Sequence, residues 1–173
     1  MKFPTTTVQT RWASPLGPMI LAASPAGLVG TWFDGQRHLP DASAWPVQDD
    51  HPLLRTTAAQ LGAYFAGTRD TFDVPLDLGG GTPFQQAVWQ ALRRIPRGQT
   101  LTYGRIARDL QRPDAMRAVG AAVGRNPVSV IVPCHRVLGA SGALTGYAGG
   151  LARKRHLLAL EGADLAAATA DLF

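Results

Sequence analysis

The chain has 173 residues, of which 46% are hydrophobic and 17% charged, a balance that supports a buried core and excludes a disordered chain or a large α/β enzyme. Cys134 is the only cysteine, which excludes an internal disulfide and a thiolate-rich metal site and points to a reducing cytoplasm. The apolar run from Pro18 to Ala23 is too short for a signal-peptide core or a membrane span, so neither export nor membrane association is expected.

The formal charge of +5 is unevenly placed. Residues 1–80 carry five basic and seven acidic side chains, net −2, whereas residues 81–173 carry twelve basic and five acidic ones, net +7. The second part is therefore the one suited to a polyanion.

In chain order, Thr5 to Trp32 reads as short extended runs broken at Ser14-Pro15-Leu16-Gly17 and Ser24-Pro25-Ala26-Gly27, which predicts an antiparallel meander. His51 to Ala66 carries Leu54, Ala58, Leu61 and Phe65 at helical spacing, with Pro52 near its start and Gly67 at its end, so a helix should pack on that sheet. Phe72, Val74, Leu76 and Leu78 alternate as in a strand, and Gly79-Gly80-Gly81 follows as a linker. The expected domains are residues 1–80 and 81–173.

Beyond the linker, Thr82 and Pro83 open a helix with Phe84, Val88, Leu92 and Ile95 on one side, ended by Pro96-Arg97-Gly98. Thr102 should cap a short helix from Tyr103 to Leu110, and Asp114 should cap another reaching Val123 or Gly124. Two short helices joined tightly in a basic region fit a helix-turn-helix, although spacing alone favours an ordinary pair of packed helices. Pro127 to Val132 reads as a β-branched strand, and Leu151 to Leu160 as a final helix closed by Gly162.

Cys134 follows the apolar run and precedes His135 and Arg136. A cysteine in that place is either a small buried hydrophobe or a nucleophile, and cationic neighbours would favour its thiolate. Side chains adjacent on a strand point to opposite faces, so Cys134 and His135 need not touch, and a bridging water is one way to connect them. Glu161, the only glutamate of the chain, sits at a helix end where the dipole disfavours it, and it is the candidate third member of a relay. Arg117 lies among Ala115, Ala118, Gly120, Ala121, Ala122 and Gly124, small residues that permit close approach to a neighbouring helix or to a nucleic-acid groove.

The run from Asn126 to Val137, NPVSVIVPCHRV, resembles the active-site signature of the O6-alkylguanine-DNA alkyltransferases, also called methylated-DNA–protein-cysteine methyltransferases. Thr102–Ala107, Arg117–Gly120, Gly146–Gly150 and Leu157–Gly162 match that family in order and spacing, densely from about Thr82 to Gly162. The resemblance implies an α/β protein with a ribonuclease-H-like amino-terminal domain built on a small antiparallel sheet, followed by a winged-helix-like DNA-binding domain. It implies direct repair of O6-alkylguanine, and of O4-alkylthymine, by irreversible transfer of the alkyl group to Cys134.

By the same resemblance, His135 and Glu161 would activate Cys134 through a water, Asn126 would brace its turn, and Tyr103 would protonate the departing guanine. Arg117 would fill the stack where a nucleotide is flipped out, with Thr102, Ala118, Gly120 and Arg125 against the minor groove. Val137, Tyr147, Ala148 and Arg136 would line the base pocket; some relatives have serine in place of Ala148. No cofactor and no metal are expected, and the working form would be a monomer on double-stranded alkylated DNA. The rival readings are a damage-binding protein without chemistry and a cysteine hydrolase that turns over.

Overall fold

The computed structural model describes residues 1–163. Asp164 and Asp171, counted in the charge of the second part, and the end of the expected second domain lie outside the described residues.

Three antiparallel strands, β1 (Val8–Ser14), β2 (Gly17–Ser24) and β3 (Gly27–Phe33), form a sheet in that order. The meander follows from its turns, since Gly17 and Gly27 both take positive φ where the chain reverses. β2 and β3 are buried almost throughout, and β3 has no exposed residue. Trp32 folds back over Gly30, where an added Cβ would lie 1.9 Å from the indole Cη2, so only glycine leaves room for the ring. That indole packs with Ile20, Ala22, Val29 and Ala42, and Phe3 and Trp45 stack against it.

Helix α1 (Pro52–Phe65) starts on the conformationally preset Pro52 and buries Leu54, Thr57, Leu61 and Tyr64. It packs on β1 and β2, and each fully buried leucine contributes about 1.5–3 kcal/mol.

Two expectations fail here. Phe72 to Leu78 is not a strand: Leu76 makes one parallel bridge to Leu28, held by Leu28 N–H to Pro75 O and Asp77 N–H to Leu28 O. Pro75 has no N–H with which to extend a ladder. Pro127 to Val132 is likewise a single bridge, Thr31 to Val128, after which Val130 turns the chain at φ 73°. The chain divides into one compact unit of Met1–Thr82 plus Pro127–Ile131 and a second of Pro83–Asn126 plus the chain from Val132 onward. Within the first unit, Pro127–Ile131 is tied to β3 by hydrogen bonds: Thr31 N–H to Pro127 O, Ser129 N–H to Thr31 O, and Thr31 Oγ1 to Ser129 O.

The second unit is built on α2 (Pro83–Arg93), α3 (Tyr103–Asp109), α4 (Met116–Gly124) and α5 (Leu151–Leu160). Two very short strands, β4 (Leu101–Thr102) and β5 (Val137–Leu138), pair in parallel. α2 buries Val88, Trp89 and Leu92 and ends before Ile95. It packs on α4, where Trp89 Nε1 donates to Ala122 O. Thr102 caps α3 by accepting the Arg105 amide. Asp114 does not cap α4, because Pro113–Ala115 forms a 3-10 turn that places Ala115 at the cap position. The architecture is thus mixed α/β, a small antiparallel sheet followed by a helical part. Among the described residues no helix is long and apolar enough to cross a membrane.

Candidate active site

The second unit assembles Cys134, His135, Arg136, Asn126, Glu161 and Lys154 in one buried cluster. Cys134–Arg136 is a single 3-10 turn running directly into β5, not the end of a strand. Asn126, just past α4, is 3% exposed and donates from Nδ2 to Val132 O at 2.8 Å and to Cys134 Sγ at 3.1 Å. One amide therefore fixes both the backbone of the turn and the sulfur.

The Cys134 side chain is almost fully buried, and burial pushes its thiol above the usual value. Opposing this are the Asn126 hydrogen bond, the charge of Lys154, and the backbone N–H groups of Cys134 and His135. The cationic help expected from Arg136 is absent from that set. Arg136 is turned away and forms a fork on Glu161, Nε to Oε2 and Nη2 to Oε1, each 2.8 Å, with Nη1 donating to Ile95 O. The buried carboxylate beside it is its charged partner.

Glu161 follows α5 at its C-terminal cap, with its carboxylate fully buried. Its Oε1 also takes His135 Nε2 at 2.8 Å. A carboxylate only accepts, so Nε2 carries the proton. Burial lowers the His135 pKa, against the raising effect of Glu161, and the imidazole is neutral at pH 7. Nδ1 therefore presents a lone pair; it is buried and has no hydrogen-bond partner among the described residues.

Tyr103, the first residue of α3, is half-buried, donates from Oη to Thr145 O at 3.3 Å, and lies over Gly120. Burial raises its phenol pKa, and the charge of Cys134 acts in the same direction. Tyr147 and Ala148 are partly exposed on the segment after Thr145, whereas Val137 is buried on β5. Arg117 and Ala118 lie on the exposed side of α4, opposite Val119, Ala122 and Val123, and Arg125 is exposed at its C-terminal cap. Gly120 is covered by Tyr103, and Thr102 is engaged as a cap.

Lys154 escaped the sequence reading. It is fully buried, and its Nζ donates to Val137 O, Thr145 O and Gly146 O at 2.5, 2.9 and 3.2 Å. The available signal was its place on the apolar stripe of α5 with Leu157 and Leu158, three and four residues on. Among the described residues no group of three His, Cys, Asp or Glu side chains is placed to hold a metal. Two cavities of about 340 and 490 Å³ are lined by residues of the first unit.

A buried cysteine, braced by an amide and set beside a histidine–glutamate pair, next to a helix pair with exposed arginines, defines a DNA-binding protein that carries its own nucleophile. Residues 83–163 match the family model of the 6-O-methylguanine DNA methyltransferase DNA-binding domain, and residues 8–78 match the ribonuclease-like domain of the same methyltransferases. The chain belongs to the 6-O-methylguanine DNA methyltransferase family. It is 49% identical over 150 residues to a methylated-DNA–protein-cysteine methyltransferase of Methanosarcina acetivorans, spanning 86% of this chain and 94% of that one. A methyltransferase of the same description from Mycobacterium bovis is 51% identical over 148 residues, spanning 86% and 88%. The structure of Mycobacterium tuberculosis OGT in complex with DNA superposes with a TM-score of 0.81 at 48% identity, covering 89% of this chain and 92% of that chain.

Proposed function

We propose that this chain repairs alkylated DNA directly, moving the alkyl group from O6 of guanine, or O4 of thymine, onto Cys134 in one irreversible event. The observation that carries the reading is the Asn126–Cys134 contact beside the His135–Glu161 pair. The thiol proton passes through one water to Nδ1 of His135, and Glu161 stabilises the imidazolium so formed. Sulfur attacks the alkyl carbon, the carbon–oxygen bond breaks, and its electron pair passes to the base. Tyr103 protonates a ring nitrogen of the leaving guanine, and the imidazolium returns its proton to the phenolate through solvent. The net change is thiol plus alkylguanine to thioether plus guanine.

Duplex DNA hides O6 from a buried sulfur, so the damaged nucleotide must leave the stack, at a cost of a few kcal/mol. Arg117 is the long exposed side chain of α4 able to fill the gap, and Ala118 and Ala121 beside it permit close docking in the minor groove. The thioether is inert and no described group can cleave it, so each molecule, acting as a monomer, serves once. A free thiol without a disulfide partner suits a reducing compartment such as the cytoplasm.

The test is incubation with an O6-methylguanine duplex followed by intact mass. One methyl increment on the peptide containing Cys134 is expected, and Cys134→Ser should bind the same duplex with no gain. Retained binding with unchanged wild-type mass would mean damage recognition without chemistry; repeated product release would mean a hydrolase.

A further inference from the structure

We propose that Arg97 is a positioning residue for the transfer: from the turn between α2 and β4 it holds the C-terminal end of α5, and with it the carboxylate of Glu161, in register with His135 and Arg136. This rests on the reading of Cys134 as an acceptor activated through His135 and Glu161.

The need for such a residue follows from how α5 ends. The last carbonyls of a helix have no partner within it. Here Glu161 N–H reaches Leu157 O, Gly162 N–H reaches Ala159 O and Ala163 N–H reaches Leu158 O, with Gly162 at φ 68°, the pattern of a Schellman cap. That leaves Leu160 O to a donor from outside the helix, and Arg97 Nη2 supplies one at 2.8 Å. A guanidinium at this place also complements the negative end of the helix dipole, which opposes the fully buried carboxylate one residue further on.

The turn that carries Arg97 is shaped for the contact. Gln99 N–H closes it on Pro96 O, and Gly98 takes φ 78°, a conformation that favours glycine. A Cβ on Gly98 would lie 3.2 Å from Glu161 O, so glycine also allows the two backbones to approach. Ile95, in the same segment, gives its carbonyl to Arg136 Nη1, while Nε and Nη2 of that arginine fork on Glu161. Residues 95–98 therefore hold Glu161 from two directions, through Arg136 on its carboxylate and through the main chain of Leu160 and Glu161. A carboxylate that meets His135 Nε2 and Arg136 Nη2 at 2.8 Å each tolerates little drift of the helix end that carries it.

The experiment is a double-mutant cycle on the full chain. Single-turnover reaction of Cys134 is followed with iodoacetamide and with free O6-benzylguanine, for Arg97→Ala and Glu161→Gln, separately and combined. Arg97→Ala should slow both reactions about tenfold in the wild-type background and less than about twofold in Glu161→Gln, where the group it positions is already gone. Arg97→Lys, which keeps a charged donor, should recover most of the rate. Equal losses in both backgrounds would make Arg97 a purely structural residue and overturn the proposal, as would a folded Arg97→Ala chain with wild-type rates. A lysine variant no faster than the alanine variant would overturn the bond to Leu160 O as the cause.

Should Glu161→Gln not fold, His135→Gln serves as the second background, since it removes the partner through which Glu161 acts. Should Arg97→Ala not fold, Arg97→Gln, whose shorter side chain falls short of Leu160 O, takes its place. The iodoacetamide cycle needs no damaged base. A wild-type chain that gains no methyl group from a duplex would thus count against the repair reading alone, and equal losses in a chain that does repair would count against Arg97 alone.

Discussion

His135 donates from Nε2 to Oε1 of Glu161 at 2.8 Å, with both side chains wholly buried. This bond fixes which imidazole nitrogen is basic. Because Arg136 holds the same carboxylate from two directions, Glu161 stays an anion and organises the turn that carries Cys134.

Replacement of Glu161 by glutamine should therefore be costly twice over. Breaking a buried ion pair by removing one partner destabilises by about 3–5 kcal/mol, and the imidazolium formed during transfer loses its counter-charge. Urea unfolding should show the first effect, and single-turnover repair rates should fall by about 10²-fold or more from the second. A Glu161→Gln chain with wild-type repair kinetics would remove Glu161 from the mechanism.

The pH dependence follows from His135. Its pKa in the folded chain lies below the unfolded value near 6.5, so below that pH the unfolded chain binds the extra proton first and stability falls with falling pH. Unfolding midpoints should be flat above pH 7 and decline below about 6.5, and His135→Gln should flatten that decline. Repair should persist at pH 6.5, where an ordinary histidine is half protonated, and fail at lower pH as Nδ1 fills. A repair midpoint at or above 6.5 would contradict the neutral imidazole.

Arg117 is exposed on α4 and absent from the buried cluster. Arg117→Ala should lower repair of a methylated duplex at least tenfold while leaving reaction with free O6-benzylguanine within about twofold, since a free base requires no extrusion. Equal losses on both substrates would sink the wedge role.

Gly30→Ala tests the core of the first unit. A Cβ placed 1.9 Å from the Trp32 ring forces the indole out of its packing, and overpacking of this kind costs about 1–3 kcal/mol. Calorimetry should show a lower melting temperature, and tryptophan fluorescence should shift to the red as Trp32 leaves the core. An unchanged melting temperature would mean that the sheet yields more easily than its buried strands suggest.

Local signals carried much of this fold into the sequence. The two turns of the meander needed glycine, α1 opened on Pro52, α3 on the hydroxyl of Thr102, and the small-residue face of α4 was evident from Arg117 to Gly124. The misreadings fall where a residue's partner is remote. Leu76 and Val128 each meet β3 at a single bridge, and neither Pro75 nor the turn at Val130 lets an apolar run become a strand. Asp114 looked like a cap because its own turn, Pro113–Ala115, could not be told from the start of α4.

By itself the sequence determined the chemical inventory: one sulfur, one glutamate, a basic second half, and the neighbours Cys134, His135 and Arg136. Only the tertiary structure decided how that inventory is wired. It joined Arg136 to Glu161, brought Asn126 onto the sulfur, and buried Lys154 among three carbonyls. The reason is physical: a charge or donor removed from water must find its partner wherever folding places one, and such partners lie 8 to 41 positions away along the chain.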